Sequence, residues 1–387
     1  MASDTNTIYL DNNATTRVAP EVVEAMTPFF CDRYGNPSSM HRFGGTVRRE
    51  VEGARERVAA LIGARPSEVI FTSCGSESDN MALKGFCHGR GGRALIVTTA
   101  VEHPAVRNTA RFLKGEGARL VELGVDGEGM IAPNALDALE IGPDTIVSAM
   151  WANNETGVIF PIAEMAERVK ARGGTFHTDA VQAAGKVAID VGKVPVDMLA
   201  LSGHKVHAPK GIGAAYFRAG TAVKPLLHGG HQEEGLRAGT ENVPYIIGLG
   251  RACELALERM EAENARMSAL RDRLERGLLE KCAGAKLNGC RGSRLPNTTN
   301  VSFENIEGEA ILLHLDEAGV AASSGSACTT GSLEPSHVMM AMGLPYKFAH
   351  SSIRFSLSAY NTEEEVDRVV AVMPGIVEKL RVLSPFV

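Results

Sequence analysis

A lysine at the exit of an apolar run is the first chemical oddity of this sequence. The stretch "LSGHKVHAPKGIGAAYF" (residues 201–217) sets Lys205 between His204 and His207 and follows it with Gly211 and Gly213. A solvated side chain is the ordinary reading of such a lysine, but small neighbours here let backbone approach a ligand closely. Three further clusters stand where apolar runs end. "TSCGSESDN" places Gly75 and Ser76 at a strand-to-helix passage, where free N–H groups beside a hydroxyl suit a phosphate or simply cap the helix. "TFHTDAVQAAG" closes on His177, Thr178 and Asp179, with Gln182 beyond. A buried carboxylate there needs a cationic or hydrogen-bonding partner, and taken alone Asp179 could cap the next helix. "VEHPAV" puts His103 directly before a proline, a place where packing or capping is more common than catalysis.

One chemistry would join these clusters. A lysine that forms an imine with a pyridoxal aldehyde needs a carboxylate to keep the pyridine nitrogen protonated, a flat group against the ring and a phosphate cradle. Asp179, His103 and the set Gly75, Ser76, Ser202 and His204 have the right types for those three tasks.

Such groups must be positioned by regular elements, and the middle of the chain alternates strand-like with helix-like segments. "EVIFTS", "RALIVTT", "DTIVSAMW", "TFHTDA" and "DMLALS" are short apolar runs separated by amphipathic ones. That is the signature of a buried, mainly parallel sheet flanked by helices, whose functional residues gather at the carboxyl ends of the strands. The stretch 242–281 predicts one long linking helix, with no proline after Pro244. "NTTNVSFE", "EGEAILLHLDEAG", "SSIRFSLSAY" and a final helix suit a smaller α+β domain. The expected fold class is α/β: a large domain over residues 14–255, and a small one from residues 1–13 and 256–387.

Bulk composition narrows the partners. The 387 residues carry a net charge of −6 and are 44% hydrophobic and 22% charged, ordinary for a soluble globular chain. With a pI near 6.0, a nucleic-acid-binding surface is not expected. Neither a membrane span nor a secretory signal is legible, so a cytoplasmic location is expected. Seven cysteines (31, 74, 87, 253, 282, 290 and 328) are odd in number and lack any C-x-x-C pair. That fits neither a disulfide framework nor a zinc site, and no resident metal is expected.

The motifs "YLDNNATTRVAPEV", "YGNPSSMHRFG", "FTSCGSESDN", "VEHPAV", "WANNETGVIFPI", "HTDAVQAAGK", "SGHKVHAPKGIG", "GGHQEEGLRAGTEN" and "ASSGSACTTGSLEPSHV" resemble, in order, those of the cysteine desulfurases. These are pyridoxal-phosphate enzymes of the aminotransferase-like fold (fold type I), with a seven-stranded sheet in the large domain. The likeness runs from near residue 8 to about residue 383. "WANNETG", "GHKVHAPKG" and "RAGTEN" lean toward the nitrogen-fixation type, NifS.

The resemblance implies that Lys205 holds pyridoxal 5′-phosphate as an imine, Asp179 pairs with the ring nitrogen, Gln182 bonds the phenolic oxygen and His103 stacks on the ring. It implies that Gly75, Ser76, Ser202 and His204 hold the phosphate. Thr240 reaches the phosphate of a partner subunit, so a homodimer is expected. Asn13, Asn154 and Arg354 match the substrate-carboxylate positions, and Asn154 also borders the cofactor. L-Cysteine is the implied substrate and L-alanine the product, with Lys205, His103 and Cys328 as catalytic residues. Cys328 lies in the small-residue run "AASSGSACTTGS", which reads as a mobile loop. It would take the sulfur as a persulfide and touch an iron–sulfur centre while delivering it. A NifU-like scaffold for iron–sulfur or nitrogenase clusters is the implied acceptor. The chain departs from the family at Glu234, where a basic residue is usual, and at Leu236. A selenocysteine lyase or an aminotransferase is the nearest rival, and a transaminase has no use for Cys328. A scaffold without turnover would call for clustered cysteines, which are missing.

Overall fold

The structure is a computed structural model and describes residues 7–324 and 335–384. Among the described residues the strands fall into three sheets. In chain order they are β1 (Ile8–Tyr9), β2 (Val69–Thr72), β3 (Leu95–Thr99), β4 (Arg119–Leu123), β5 (Thr145–Ser148) and β6 (Thr175–Asp179). There follow β7 (Met198–Ser202), β8 (Gly213–Phe217), β9 (Ala285–Asn288), β10 (Thr298–Phe303), β11 (Val320–Ala321) and β12 (Ser352–Ser356).

The central sheet has seven strands in the order β2-β8-β7-β6-β5-β3-β4, and only β8 runs antiparallel to its neighbours. The mainly parallel α/β sheet expected from the sequence is thus present. Its inner strands β3 (LIVTT), β5 (TIVS) and β7 (MLALS) are buried at every position. Strands covered on both faces read as continuous apolar runs, which is why they stood out in the sequence. Side chains alternate between two apolar clusters, with Phe71, Val97, Val147 and Leu199 on one face and Ile70, Ile96, Ile146 and Met198 on the other. Both edges are guarded. β4 carries charged Arg119 and Glu122 on its partly exposed positions. On β2 the Phe71 N–H is taken by the Glu233 carboxylate at 2.8 Å.

The helix Val243–Lys281 has 39 residues, spanning about 58 Å at 1.5 Å per residue. Its first half (Ile246, Ile247, Leu255) packs with the sheet. Its second half (Leu270, Leu274, Leu278) joins a third cluster with Ile8, Leu10, Phe303, Phe355 and Val369. Gly250 lets it lie against the helix Arg42–Ile62: a Cβ there would sit 2.7 Å from Ala54 Cα. Two smaller sheets, β1 with β11 and β12-β10-β9, complete the fold. Among the described residues no helix is long and apolar enough to cross a membrane.

Because β2, β3, β5, β6 and β7 run parallel, their carboxyl ends open on one edge of the sheet. Gly75, His103, Asn154, Asp179 and Lys205 follow those ends, as ligand-binding residues of open α/β sheets do.

Candidate active site

Lys205 ends the short helical turn Gly203–Lys205 directly after β7. The turn depends on Gly203, where a Cβ would stand 2.8 Å from Ile212 Cγ2 and 3.0 Å from Ile212 O. Lys205 Nζ donates to the carbonyls of Asn13 and Ala14, the latter at 2.7 Å. Burial pushes this amine down to about 7, and the Arg354 and Lys186 cations push the same way. An amine so tuned is available unprotonated near neutral pH, as imine formation and proton abstraction both require.

The groups predicted for the cofactor converge on this lysine. Asp179 is buried at the end of β6 and accepts the Val181 N–H at 2.9 Å. Desolvation raises its carboxyl, while protonation of His103, the Val181 N–H and protonation of Lys205 each act against the rise. His103 caps the helix Pro104–Gly115, its Nδ1 accepting the Ala105 N–H at 3.1 Å. Burial lowers its affinity for a second proton, so the neutral ring carries its hydrogen on Nε2. The capping role anticipated for this histidine is therefore real, and it fixes the tautomer. Gln182 Nε2 donates to the Asn13 carbonyl at 3.0 Å.

Among the described residues, the buried Gln182 Oε1 and Ser202 Oγ have no hydrogen-bond partner. The helix Gly75–His88 begins without a side-chain cap, leaving its first N–H groups free. A Cβ on Gly75 would stand 2.7 Å from Val181 Cγ2 and 3.4 Å from Ser202 Cβ, so Gly75 keeps this cradle open. His204 holds Thr15 Oγ1 at 3.2 Å through Nδ1, and burial beside Lys205 drives its imidazole down to about 4. A neutral imidazole, a free hydroxyl and bare helical N–H groups suit a phosphate, and a buried carboxylate suits a pyridinium. The residues present fit pyridoxal 5′-phosphate.

Arg354 comes from β12 of the three-stranded sheet and is 2% exposed. Its Nη2 meets Asp11 Oδ1 at 2.7 Å, its Nη1 donates to the Asn154 carbonyl at 2.9 Å, and its Nε is buried without a partner. Asn13 is at the site as predicted, but its side chain is already spent. Its Nδ2 bonds Thr298 Oγ1 at 2.8 Å and the Asn154 carbonyl at 3.1 Å, and its Oδ1 accepts from Asn297 at 3.1 Å. What it offers Lys205 and Gln182 is its backbone carbonyl, which no reading of side-chain types could anticipate. Thr240 is exposed on the loop before Val243, and among the described residues no hydrogen bond ties it to the Lys205 cluster. Glu234, the departure from the family pattern, is also exposed, in a turn where it and Glu233 take φ of 56° and 49°. Its neighbour Glu233 carries the structural load, binding Arg55 at 2.7 Å.

Cys328 lies outside the described residues. The chain on either side of segment 325–334 is fixed beside the site. Ser323 and Arg354 exchange backbone hydrogen bonds, at 2.6 Å for the Arg354 N–H. Ser336 Oγ donates to Glu155 at 2.5 Å, and His337 Nε2 donates to the Glu102 carbonyl at 3.0 Å. Sequence reasoning passed over Asp79 and Glu102, buried acids close to Asp179. The available signal was an acid in the first turns of a phosphate-type helix and another before His103.

A sequence profile of the aminotransferase class-V family matches residues 8–369. A cysteine desulfurase of Trichormus azollae is 57% identical over 379 residues, covering 98% of this chain and 95% of its own length. The cysteine desulfurase NifS of Azotobacter vinelandii is 54% identical over 380 residues, covering 98% and 94%. A solved NifS-like protein superposes with a TM-score of 0.90 at 40% identity, covering 97% of this chain and 100% of its own. On these likenesses, which run over nearly its whole length, this chain belongs to the class-V aminotransferase family and, within it, to the cysteine desulfurases.

Proposed function

We propose that the chain is a pyridoxal-phosphate-dependent cysteine desulfurase that turns L-cysteine into L-alanine and leaves the sulfur as a persulfide on Cys328. The observation that carries the reading is Lys205, a half-buried amine lowered to about 7 beside the orphaned Ser202 Oγ and Gln182 Oε1. Bound pyridoxal 5′-phosphate supplies an aldehyde for amine exchange and a protonated pyridine that accepts the electrons of a Cα carbanion.

The chain's own residues do the rest. Asp179 would hold the ring nitrogen, and Gly75, Ser76, Ser202 and His204 would hold the phosphate. Gln182 would bond the phenolic oxygen. Arg354 and Asn154 orient the substrate carboxylate, with Asn13 bracing Asn154 from behind. Lys205 Nζ is the base that would take the Cα proton. The Cys328 thiolate attacks the substrate sulfur, so that the S–S bond forms as Cβ–S breaks. The Cα proton held by Lys205 and the proton shed by the Cys328 thiol balance the released carbon as alanine, with His103 as the acid/base partner of the substrate thiol. Net, one C–SH and one thiol become one C–H and one persulfide.

Delivery to an iron–sulfur or nitrogenase-cluster scaffold of NifU type is part of the proposal, as is a homodimer in which the exposed Thr240 serves the partner's phosphate. A cytoplasmic location is supported by the free thiols: Cys31, Cys74, Cys87, Cys253, Cys282 and Cys290 form no disulfide. Division into units over 14–255 and over 1–13 with 256–387 is supported by Ile8 and Leu10 sharing the third apolar cluster. The test is a single turnover with L-cysteine followed by mass spectrometry. The persulfide should map to Cys328, and Cys328→Ala should keep the cofactor's colour while losing sulfur transfer. A persulfide on another cysteine moves the nucleophile elsewhere.

A further inference from the structure

Beneath Asp179 lies a set of buried polar side chains to which the reaction gives no task. His177 stands two residues earlier on β6, on the same strand face, and is wholly buried. Its Nδ1 is 2.8 Å from Ser148 Oγ on β5. Its Nε2 is 3.5 Å from Asp79 Oδ1, on the helix Gly75–His88. Both Nε2 and Oδ1 are buried, and among the described residues neither has another partner. They stand a few tenths of an ångström beyond an ideal hydrogen bond, and one hydrogen placed between them satisfies both.

Three assignments of that hydrogen are open in principle: an imidazolium facing a carboxylate, a neutral imidazole donating from Nε2 to a carboxylate, or a neutral imidazole accepting from an acid. Burial drives the His177 ring down to about 3. Burial also raises Asp79 well above the usual carboxylate range, with repulsion from Asp179, Glu102 and Cys74 acting in the same direction. Glu102 is pushed up to about 8, although Met150 N–H and Thr99 Oγ1 donate to it. Neighbouring carboxylates in one desolvated pocket do not all ionise.

We propose that Asp79 is a permanently protonated acid that donates its hydrogen to His177 Nε2, while His177 Nδ1–H donates to Ser148 Oγ. This fixed relay braces β6 under Asp179 and leaves Asp179 as the negative charge facing the ring nitrogen. Asp79 is thus a positioning residue. Its purpose rests on the function proposed above, but its protonation does not.

Infrared difference spectra of the full-length chain and Asp79→Asn, with and without pyridoxal phosphate, test the relay. The wild type should show an acid C=O band that shifts in D2O, holds from about pH 6 to 9, and is lost in Asp79→Asn. Cofactor affinity should fall about tenfold in Asp79→Ala, which strands Nε2, and recover in Asp79→Asn, whose amide can donate in its place. If the band that depends on Asp79 is a carboxylate band or titrates in that window, or if both variants lose affinity equally, the proposal is overturned. If the variants do not fold, nitrogen NMR of wild-type His177 decides. Hydrogen on Nδ1 alone is expected, and an imidazolium or the opposite tautomer refutes it. The infrared and NMR readouts of the cofactor-free chain do not involve Lys205, so their failure is separable from failure of the desulfurase reading.

Discussion

Replacing Arg354 with lysine keeps a positive charge and removes a fork, which makes it a sharp test of carboxylate recognition. The guanidinium has five N–H groups. One meets Asp11 Oδ1 at 2.7 Å and one meets the Asn154 carbonyl at 2.9 Å, leaving three for the substrate. An ammonium on a single stem cannot reach Asp11, Asn154 and a carboxylate together in planar geometry. At 2% exposure the site offers little water to replace the missing bond. A charged hydrogen bond is worth about 1.5–3 kcal/mol. At about 1.36 kcal/mol per factor of ten, Arg354→Lys should lower kcat/KM for L-cysteine by about 10- to 150-fold. Steady-state alanine release measures this, with thermal unfolding of the variant to separate lost recognition from lost fold. Cysteamine, which has no carboxylate, supplies the control: its binding should change little. A variant within about threefold of wild type on L-cysteine, or equal losses for both amines, would refute the assigned role.

Two further outcomes follow from geometry and burial. Gly75→Ala drives a Cβ to 2.7 Å from Val181 Cγ2, so cofactor affinity in an equilibrium titration should fall about tenfold, and unchanged affinity would contradict the cradle. Lys205→Met should stabilise the cofactor-free chain in a pH-dependent way. The amine titrates at about 7 when folded against 10.5 when unfolded, so the unfolded chain binds more protons between those values and wild-type stability rises with pH there. The melting-temperature gain of Lys205→Met should therefore be greatest below pH 7 and shrink toward pH 10.5. A gain that ignores pH would show that Lys205 is not desolvated.

The sheet was legible because burial on both faces forces runs such as "RALIVTT" and "DMLALS", and the same topology sends Asp179, His103 and Lys205 to one edge. The long helix was legible from its periodicity, and its observed span Val243–Lys281 lies within a residue of the predicted start. What escaped was whatever depends on backbone or on distant pairing. Asn13 acts on Lys205 through a carbonyl 192 positions away in sequence. His177 and Asp79 look like ordinary strand-end and helix residues until the fold brings them 3.5 Å apart. Attention to Glu234 missed its neighbour, because only the structure shows the Glu233 carboxylate closing the edge of β2.

The central claim is that one amine, Lys205 Nζ, carries the coenzyme. Borohydride reduction of the loaded protein, followed by proteolysis and mass spectrometry, reads that bond directly. The account predicts a pyridoxyl group on Lys205, with nearby Lys186 unmodified. A label on Lys186 or another lysine, or no covalent label at all, would contradict it.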